Sequence, residues 1–247
     1  MTTSMTAVLH SEWIKINSVR AVAGSLIAVF AATLFVTVFV ASTIGQAEAD
    51  NTGGDLLFSA FYALNFGQIA AISFGATALS SEFLNGALRI SLTAVPSRSR
   101  FYVAKMAMVG GLALVVGLIT SFSTFLVGQL FMGEYAIRLE EPDVLRAAIG
   151  GGVYLALMAL FAAGLTAVLR SAIAVLSLLI PFILIVSFVV GDLAGGVAQY
   201  LPDRAGQLVL QAHPEGSLGP WTGLAVTAGW AGAALVAGWW ALWKRDA

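Results

Sequence analysis

The residues best equipped for chemistry lie in two short polar segments, SEWIKINSVR (residues 11–20) and SEFLNGALRISLTAVPSRSR (residues 81–100). The first brings Glu12, Lys15 and Arg20 together, and the second carries Glu82, Arg89, Arg98 and Arg100. Carboxylates and cations at these spacings make ion pairs and docking surfaces. They do not make a bond-cleaving site: there is no Ser–His pairing, no HExxH helix and no paired aspartates. His10 and His213 are the only histidines and lie far apart, and the chain has no cysteine. A histidine-rich metal site, a thiolate site and a disulfide are therefore all unexpected. Lys15, Lys105 and Lys244 are followed by Ile16, Met106 and Arg245, so no lysine has the glycine frame and following Ser/Thr of a phosphate-binding loop. No catalytic residue and no cofactor are expected in this chain.

The elements that must position these segments are apolar. The 247 residues are 59% hydrophobic and 10% charged, against about a quarter charged in soluble domains, and the mean hydropathy is +0.92. The net charge of -1 gives no footprint for nucleic acid. Crossing ~30 Å of hydrocarbon takes about 20 apolar residues in a helix, and six such runs occur, near 19–42, 56–79, 103–132, 145–169, 172–190 and 221–243. The expected fold is all-α and integral to a membrane, one transmembrane domain over 1–247. An interfacial helix (1–18), a cytoplasmic loop (80–101) and an extracytoplasmic segment (191–220) attach to it. Ala47-Glu48-Ala49 resembles a signal-cleavage site, but the apolar run before it is too long for a signal core, so an uncleaved first span is expected.

With both termini cytoplasmic, Lys15, Arg20, Arg89, Arg98, Arg100, Lys105, Arg170, Lys244 and Arg245 fall inside, and Arg138, Arg146 and Arg204 outside. This positive-inside bias predicts a multi-pass protein of the cell membrane whose largest cytoplasmic loop is the 81–100 segment. The largest outer connection is semi-apolar (Val197, Tyr200, Leu201, Leu208, Val209, Leu210). It reads as one or two short helices at the outer leaflet, broken at Pro202.

No ionisable residue lies near the middle of a span, which argues against a proton relay or voltage sensor. Neutral polar residues do: Tyr62, Asn65, Gln68, Ser73 and Thr77 on the second run, and Thr120, Ser121, Ser123, Thr124 and Gln129 on the third. They serve either as interhelical hydrogen bonds or as the lining of a cargo path, for which Tyr62, Asn65, Gln68, Thr120 and Thr124 are the candidates. Glycines 110, 111, 117, 150–152, 229 and 232 allow close helix contact.

Wound as a helix, residues 4–20 gather Met5, Leu9, Trp13 and Ile16 on one side. Trp13 suits the headgroup level, and Lys15 and Arg20 suit anionic lipid. Glu12 falls inside the apolar face, where an unpaired carboxylate is costly; it must reach water or meet a cation, with Arg89 or Arg98 the nearest candidates by topology. The loop opens with Ser80-Ser81-Glu82, a helix N-terminal signature. Leu84, Leu88 and Ser91/Leu92 then form an apolar strip, and Pro96 ends the helix. A positive stop signal would need only the arginines after Pro96, so Glu82, Gly86 and the strip point to a docking helix.

These two segments resemble the permease subunits of the ABC type-2 exporter family, actinobacterial type. SEWIKINSVR resembles that family's S-E-W-x-K-[LI]-x-S-x-R, and SEFLNGALRISLTAVPSRSRFYVAK (81–105) its S-E-[YF]-x-x-G-[TA]-[IL]-R-x-[ST]-L-x-x-x-P-x-R; LPDRAG (201–206) is similar to a motif before the last span. The resemblance implies that the 81–100 loop is a coupling helix seated in a separate ATP-hydrolysing subunit, which binds ATP and Mg. Glu82, Leu84, Gly86, Leu88, Arg89, Leu92, Pro96 and Arg98 would form the docking element. The amino-terminal helix, with Glu12, Trp13, Lys15 and Arg20, would pack beside it. Two permeases, as a homodimer whose first, second and fifth spans lie near the axis, and two ATPases would make an exporter. An amphipathic or lipid-like cargo, drug or peptide antibiotic fits a path without fixed charge. An ion-coupled or facilitative carrier and a non-transporting scaffold or sensor subunit are the alternatives.

Overall fold

The computed structural model describes residues 5–43, 45, 55–84, 86–95, 97–187, 195–214 and 216–244. The signal-like tract at 46–50, Pro96 and residues 191–194 of the outer segment lie outside the described residues. Among the described residues every regular element is helical. In chain order these are α1 (Met5–Ser18), α2 (Arg20–Thr43), α3 (Leu56–Phe61), α4 (Leu64–Ser80), α5 (Ala87–Ala94), α6 (Arg98–Gln129), α7 (Pro142–Leu169), α8 (Ala172–Pro181), α9 (Pro202–Gln207) and α10 (Pro220–Lys244).

Four helices, α2, α6, α7 and α10, are long and apolar enough to cross a membrane. The second and fifth apolar runs are not single α-helices. The second is divided into α3 and α4 at Tyr62–Ala63, where the backbone tightens: Tyr62 N donates to Ser59 O at 3.2 Å and Asn65 N to Tyr62 O at 3.1 Å. The fifth leaves α-helical form after Pro181 and continues as a π-helical turn, Phe182–Ser187. Proline removes a backbone donor, and a wider turn is one way for a helix to absorb the defect. The third run begins at Arg98, five residues before the expected 103, because the Ser97 side chain accepts from Arg100 N and caps α6.

The core is built around α7, which packs against α4, α6 and α10. It is lined by small side chains, among them Gly150, Gly151, Gly152, Ala159, Ala163 and Gly164, so neighbouring backbones come close. A Cβ placed on Gly75 of α4 would collide with the Ala159 carbonyl oxygen, and one on Gly164 would sit 2.6 Å from the Ala234 carbonyl carbon of α10. Gly117 and Gly150–Gly152 also lie at contacts, whereas Gly111, Gly229 and Gly232 have open space for 4 Å around the place a Cβ would take.

The outer segment is two short 3-10 turns, Gly195–Tyr200 and Leu208–Leu210, flanking α9, whose first residue is Pro202. Its second half is docked rather than solvated: Ala205, Val209 and Leu210 are fully buried. Arg146 on α7 holds it from the side, donating to Gln211 O at 2.6 Å and to Asp143 Oδ1 at 2.6 Å.

Filling the α4–α7 contact with Gly75→Leu should lower stability by about 1–3 kcal/mol or more through overpacking. The same change at Gly111 should stay within about 0.5 kcal/mol of the parent. Thermal unfolding of the two purified variants side by side checks the contrast.

Candidate functional site

The two polar segments meet at one end of the bundle. On α1, Val8, Glu12 and Ile16 are buried at a spacing of four, the repeat that stacks side chains on one helix face. Met5 and Trp13, expected on a face lying in the membrane interface, are exposed, at 41% and 46%. Arg20 opens α2 and is exposed.

The loop after α4 is not one continuous helix. A 3-10 turn, Ser81–Phe83, swings Glu82 inward to 3% exposure, and Leu84 is extended. Gly86 takes a left-handed conformation (φ 73) at the N-cap of α5. A side chain there would be strained, and this turn brings α5 back against the 3-10 turn and the start of α6. Within α5 the expected apolar strip divides. Leu88 is buried and Leu92 packs on the core, so both face the protein's own body. Leu84 (62% exposed) and Ile90 (70%) point away from it, with Arg89 beside them. Ile90 lies off the strip that helical spacing picks out, and only the fold reveals its place on the outward face.

Between α1, the 3-10 turn, α5 and α6 lies a cluster of four charges. Lys105, on the second turn of α6 and 1% exposed, places Nζ 2.7 Å from Glu82 Oε1 and 2.8 Å from Glu12 Oε2. Lys15 donates to Glu12 Oε1 at 2.7 Å, to Glu82 Oε1 at 3.2 Å and to Ser91 Oγ at 2.9 Å. Ser91 in turn donates to Glu82 Oε2 at 2.9 Å. Two carboxylates thus face two ammonium groups with no formal charge left over, which is the condition for keeping ions out of water. Lys15 also lies 5.6 Å from the centre of the Phe101 ring.

This arrangement corrects the expected partner of Glu12. Both its oxygens are matched to lysines, in the place expected for Arg89 or Arg98. Arg98 instead donates to the Leu242 carbonyl at 2.8 Å, where a cation satisfies the free carbonyls at a helix C-terminus. Lys105 and Ser91 complete the cluster without having been expected in it. A signal for the lysine exists in the sequence: a carboxylate on an apolar face requires a cation, and Lys105 is an isolated lysine just inside the third run.

Burial alone would push the Glu82 carboxyl up, but Lys105, Lys15 and Ser91 outweigh it and hold the group below its ordinary 4.5. Burial would likewise lower Lys15, but Glu12 and Glu82 outweigh it and raise the ammonium above 10.5. The stability from Glu82 is therefore present above about pH 4.5 and lost as pH falls through its lower folded value. That from Lys15 is present below about pH 10.5 and lost as pH rises through its raised folded value.

The other candidates lie toward the opposite end. Tyr62, Asn65 and Gln68 line a chamber of about 880 Å³ together with the π-helical turn and the outer segment. Tyr154 of α7 donates its hydroxyl proton to Gln68 Oε1, and Gln207 of α9 donates to Tyr154 Oη at 3.5 Å. Tyr62 also forms part of the wall of a separate crevice of about 310 Å³ between α2, α3 and α6. Thr120 and Thr124 line neither space: both are fully buried, and their hydroxyls have no hydrogen-bond partner among the described residues. Asp203, Tyr154 and Gln207 were not foreseen at this site, because nothing in local spacing relates α9 to α7.

Lys105→Met should leave two buried carboxylates facing one lysine and cost about 3–5 kcal/mol. Replacing Glu12, Glu82 and Lys105 together by Gln, Gln and Met should recover most of that loss. Thermal unfolding gives both values. Amide exchange of residues 5–18 should show α1 held across neutral pH and released only as pH falls through the lowered Glu82 value or rises through the raised Lys15 value.

Among known proteins, the family model described as "ABC-2 family transporter protein" matches residues 8–191, well over half of the chain. None of the curated proteins matches.

Proposed function

The chain belongs to the ABC-2 transporter family, and on that premise we propose that it is the multi-pass permease subunit of an ATP-driven exporter of the cell membrane. The observation that carries this reading is the outward face of the 81–94 segment. Leu84 and Ile90 are 62% and 70% exposed on a segment whose other face is locked to the body by the ion cluster. Such a handle suits a foreign ATP-binding cassette subunit, which would hold ATP and Mg. A push on α5 reaches α1 and α6 through Ser91, Glu82 and the two lysines without passing through a flexible joint.

Six passes with both termini cytoplasmic put α5 on the ATPase side, with α3–α4 and α8 plus its π-helical turn counted as the second and fifth. Two copies would pair through the first, second and fifth passes. Ile27, Phe35 and Phe39 on α2 and Ile173 and Leu178 on α8 leave large apolar side chains uncovered there. ATP-driven closure of the ATPases moves α5 as a rigid body, and access to the path between the permeases changes with it. The cargo is amphipathic, in keeping with spans whose middles carry no ionisable residue.

The double change Leu84→Asp, Ile90→Asp should reduce recovery of an ABC ATPase with the affinity-purified permease by about tenfold or more, while membrane insertion and thermal stability stay at the parent level. Quantitative mass spectrometry of the purified membrane complex checks it. Unchanged recovery, or no ABC ATPase with the parent protein, rejects the docking role.

A further inference from the structure

The two cavities differ in chemistry and share one wall. The crevice is walled by Val40, Ala41, Ala60, Ala63 and Met132, apolar and small side chains at the ends of α2, α3 and α6. The chamber on the other side of Tyr62 is still more apolar than polar but carries more polar groups than the crevice, and its uncharged ones include the carboxamides of Asn65, Gln68, Gln199, Gln207 and Gln211. Tyr62 stands at the break between α3 and α4, so the wall between the two spaces falls where this span departs from a regular helix.

We propose that crevice and chamber together form a binding site within a single protomer for an amphiphile with an uncharged, hydrogen-bonding head. The apolar chain enters the crevice, the head lies in the chamber, and Tyr62 is the saddle over which the two parts join. This deepens the exporter reading and rests on it for the site's role as a station for cargo on its way out.

The charge inventory of the chamber selects the head. Asp55 is already committed, its Oδ1 accepting from Phe58 N at 3.0 Å and its Oδ2 from Ala212 N at 2.8 Å. Asp203 is buried at 3% exposure, and both it and Arg204 already have partners within the protein. His213 stands at the exposed rim. What remains for a guest is a set of amides, each with donors and an acceptor, suited to hydroxyl or amide groups and without preference for either sign of charge. Gln68 is the best placed. Tyr154 takes its amide oxygen, which fixes the side chain and leaves its N–H groups as donors. Gln207 reaches the same tyrosine from α9, so the outer segment and the second span hold the head from two sides.

The test uses the purified permease in lipid nanodiscs, without ATP or an ATPase, so its result does not depend on whether the exporter assembles. Three probes share a dodecyl chain bearing a photoreactive diazirine and differ only in head: maltoside, trimethylammonium and phosphate. The maltoside should bind about tenfold tighter than either charged probe, and its chain should label residues of the crevice. Gln68→Leu and Gln207→Leu should each weaken the maltoside by about tenfold and leave the charged probes unchanged. Ala60→Phe should abolish crevice labelling for every probe. If Gln68→Leu disturbs folding, Gln207→Leu alone decides, because it lies on the short outer helix. Equal affinity for the three heads, maltoside binding indifferent to Gln207→Leu, or labelling confined to the outward face of α10 overturns the proposal while leaving the docking of an ATPase untouched.

Discussion

Two carboxylates and two ammonium groups, three of the four buried, hold one end of this protein together. A single buried charge at this depth would be prohibitive. Four that sum to zero are tolerable only when all four are present, so the cluster makes the positions of α1, the turn after α4, α5 and α6 interdependent. None of these elements has a large apolar contact with all the others. The amino-terminal helix offers Val8 and Ile16, and α5 offers Leu88 and Leu92. The geometry that remains is set by distances of 2.7–2.8 Å around Lys105. Apolar packing of this kind tolerates sliding, whereas a lysine bridging two carboxylates defines a point.

The bundle that carries this cluster is stiff for a different reason. Around α7 the helices touch backbone to backbone, at Gly75 against Ala159 and at Gly164 against Ala234. Dispersion and close approach replace the hydrophobic effect as the source of cohesion inside a lipid phase. Among the described residues the spans are interrupted at two places, the turn at Tyr62–Ala63 and the π-helical turn after Pro181. Both border the chamber. The ion cluster and the two helix interruptions thus lie toward opposite ends of the bundle.

Much of this could be read from residue order. Length and polarity located the six apolar runs, and the resemblance carried by SEWIKINSVR and SEFLNGALRISLTAVPSRSR agrees with the family to which the chain belongs. Glu12 announced its need for water or a cation because it falls inside the apolar face of Met5, Leu9, Trp13 and Ile16. Its actual partner was not legible, since Lys105 is 93 positions away and only the crossing of α1 with α6 brings them together. The inward turn of Leu88 was hidden for a related reason: periodicity identifies an apolar stripe but not which neighbour it faces. The break in the second run was also invisible, because hydropathy is continuous across Tyr62, whereas the fifth run did carry a signal in Pro181 that hydropathy alone does not register.

The guanidinium of Arg98 joins the first residue of α6 to the carbonyl of Leu242, 144 positions later. Tyr102 one turn on adds a second tie, its hydroxyl donating to Leu235 O at 2.9 Å, and the Trp239 indole donates to Ser99 Oγ at 3.1 Å. The start of α6 and the close of α10 are in effect a single splinted strut. A fluorophore or fusion partner attached beyond Lys244 would therefore report on, or burden, the same strut that follows α5, and would be a poor choice as a neutral handle.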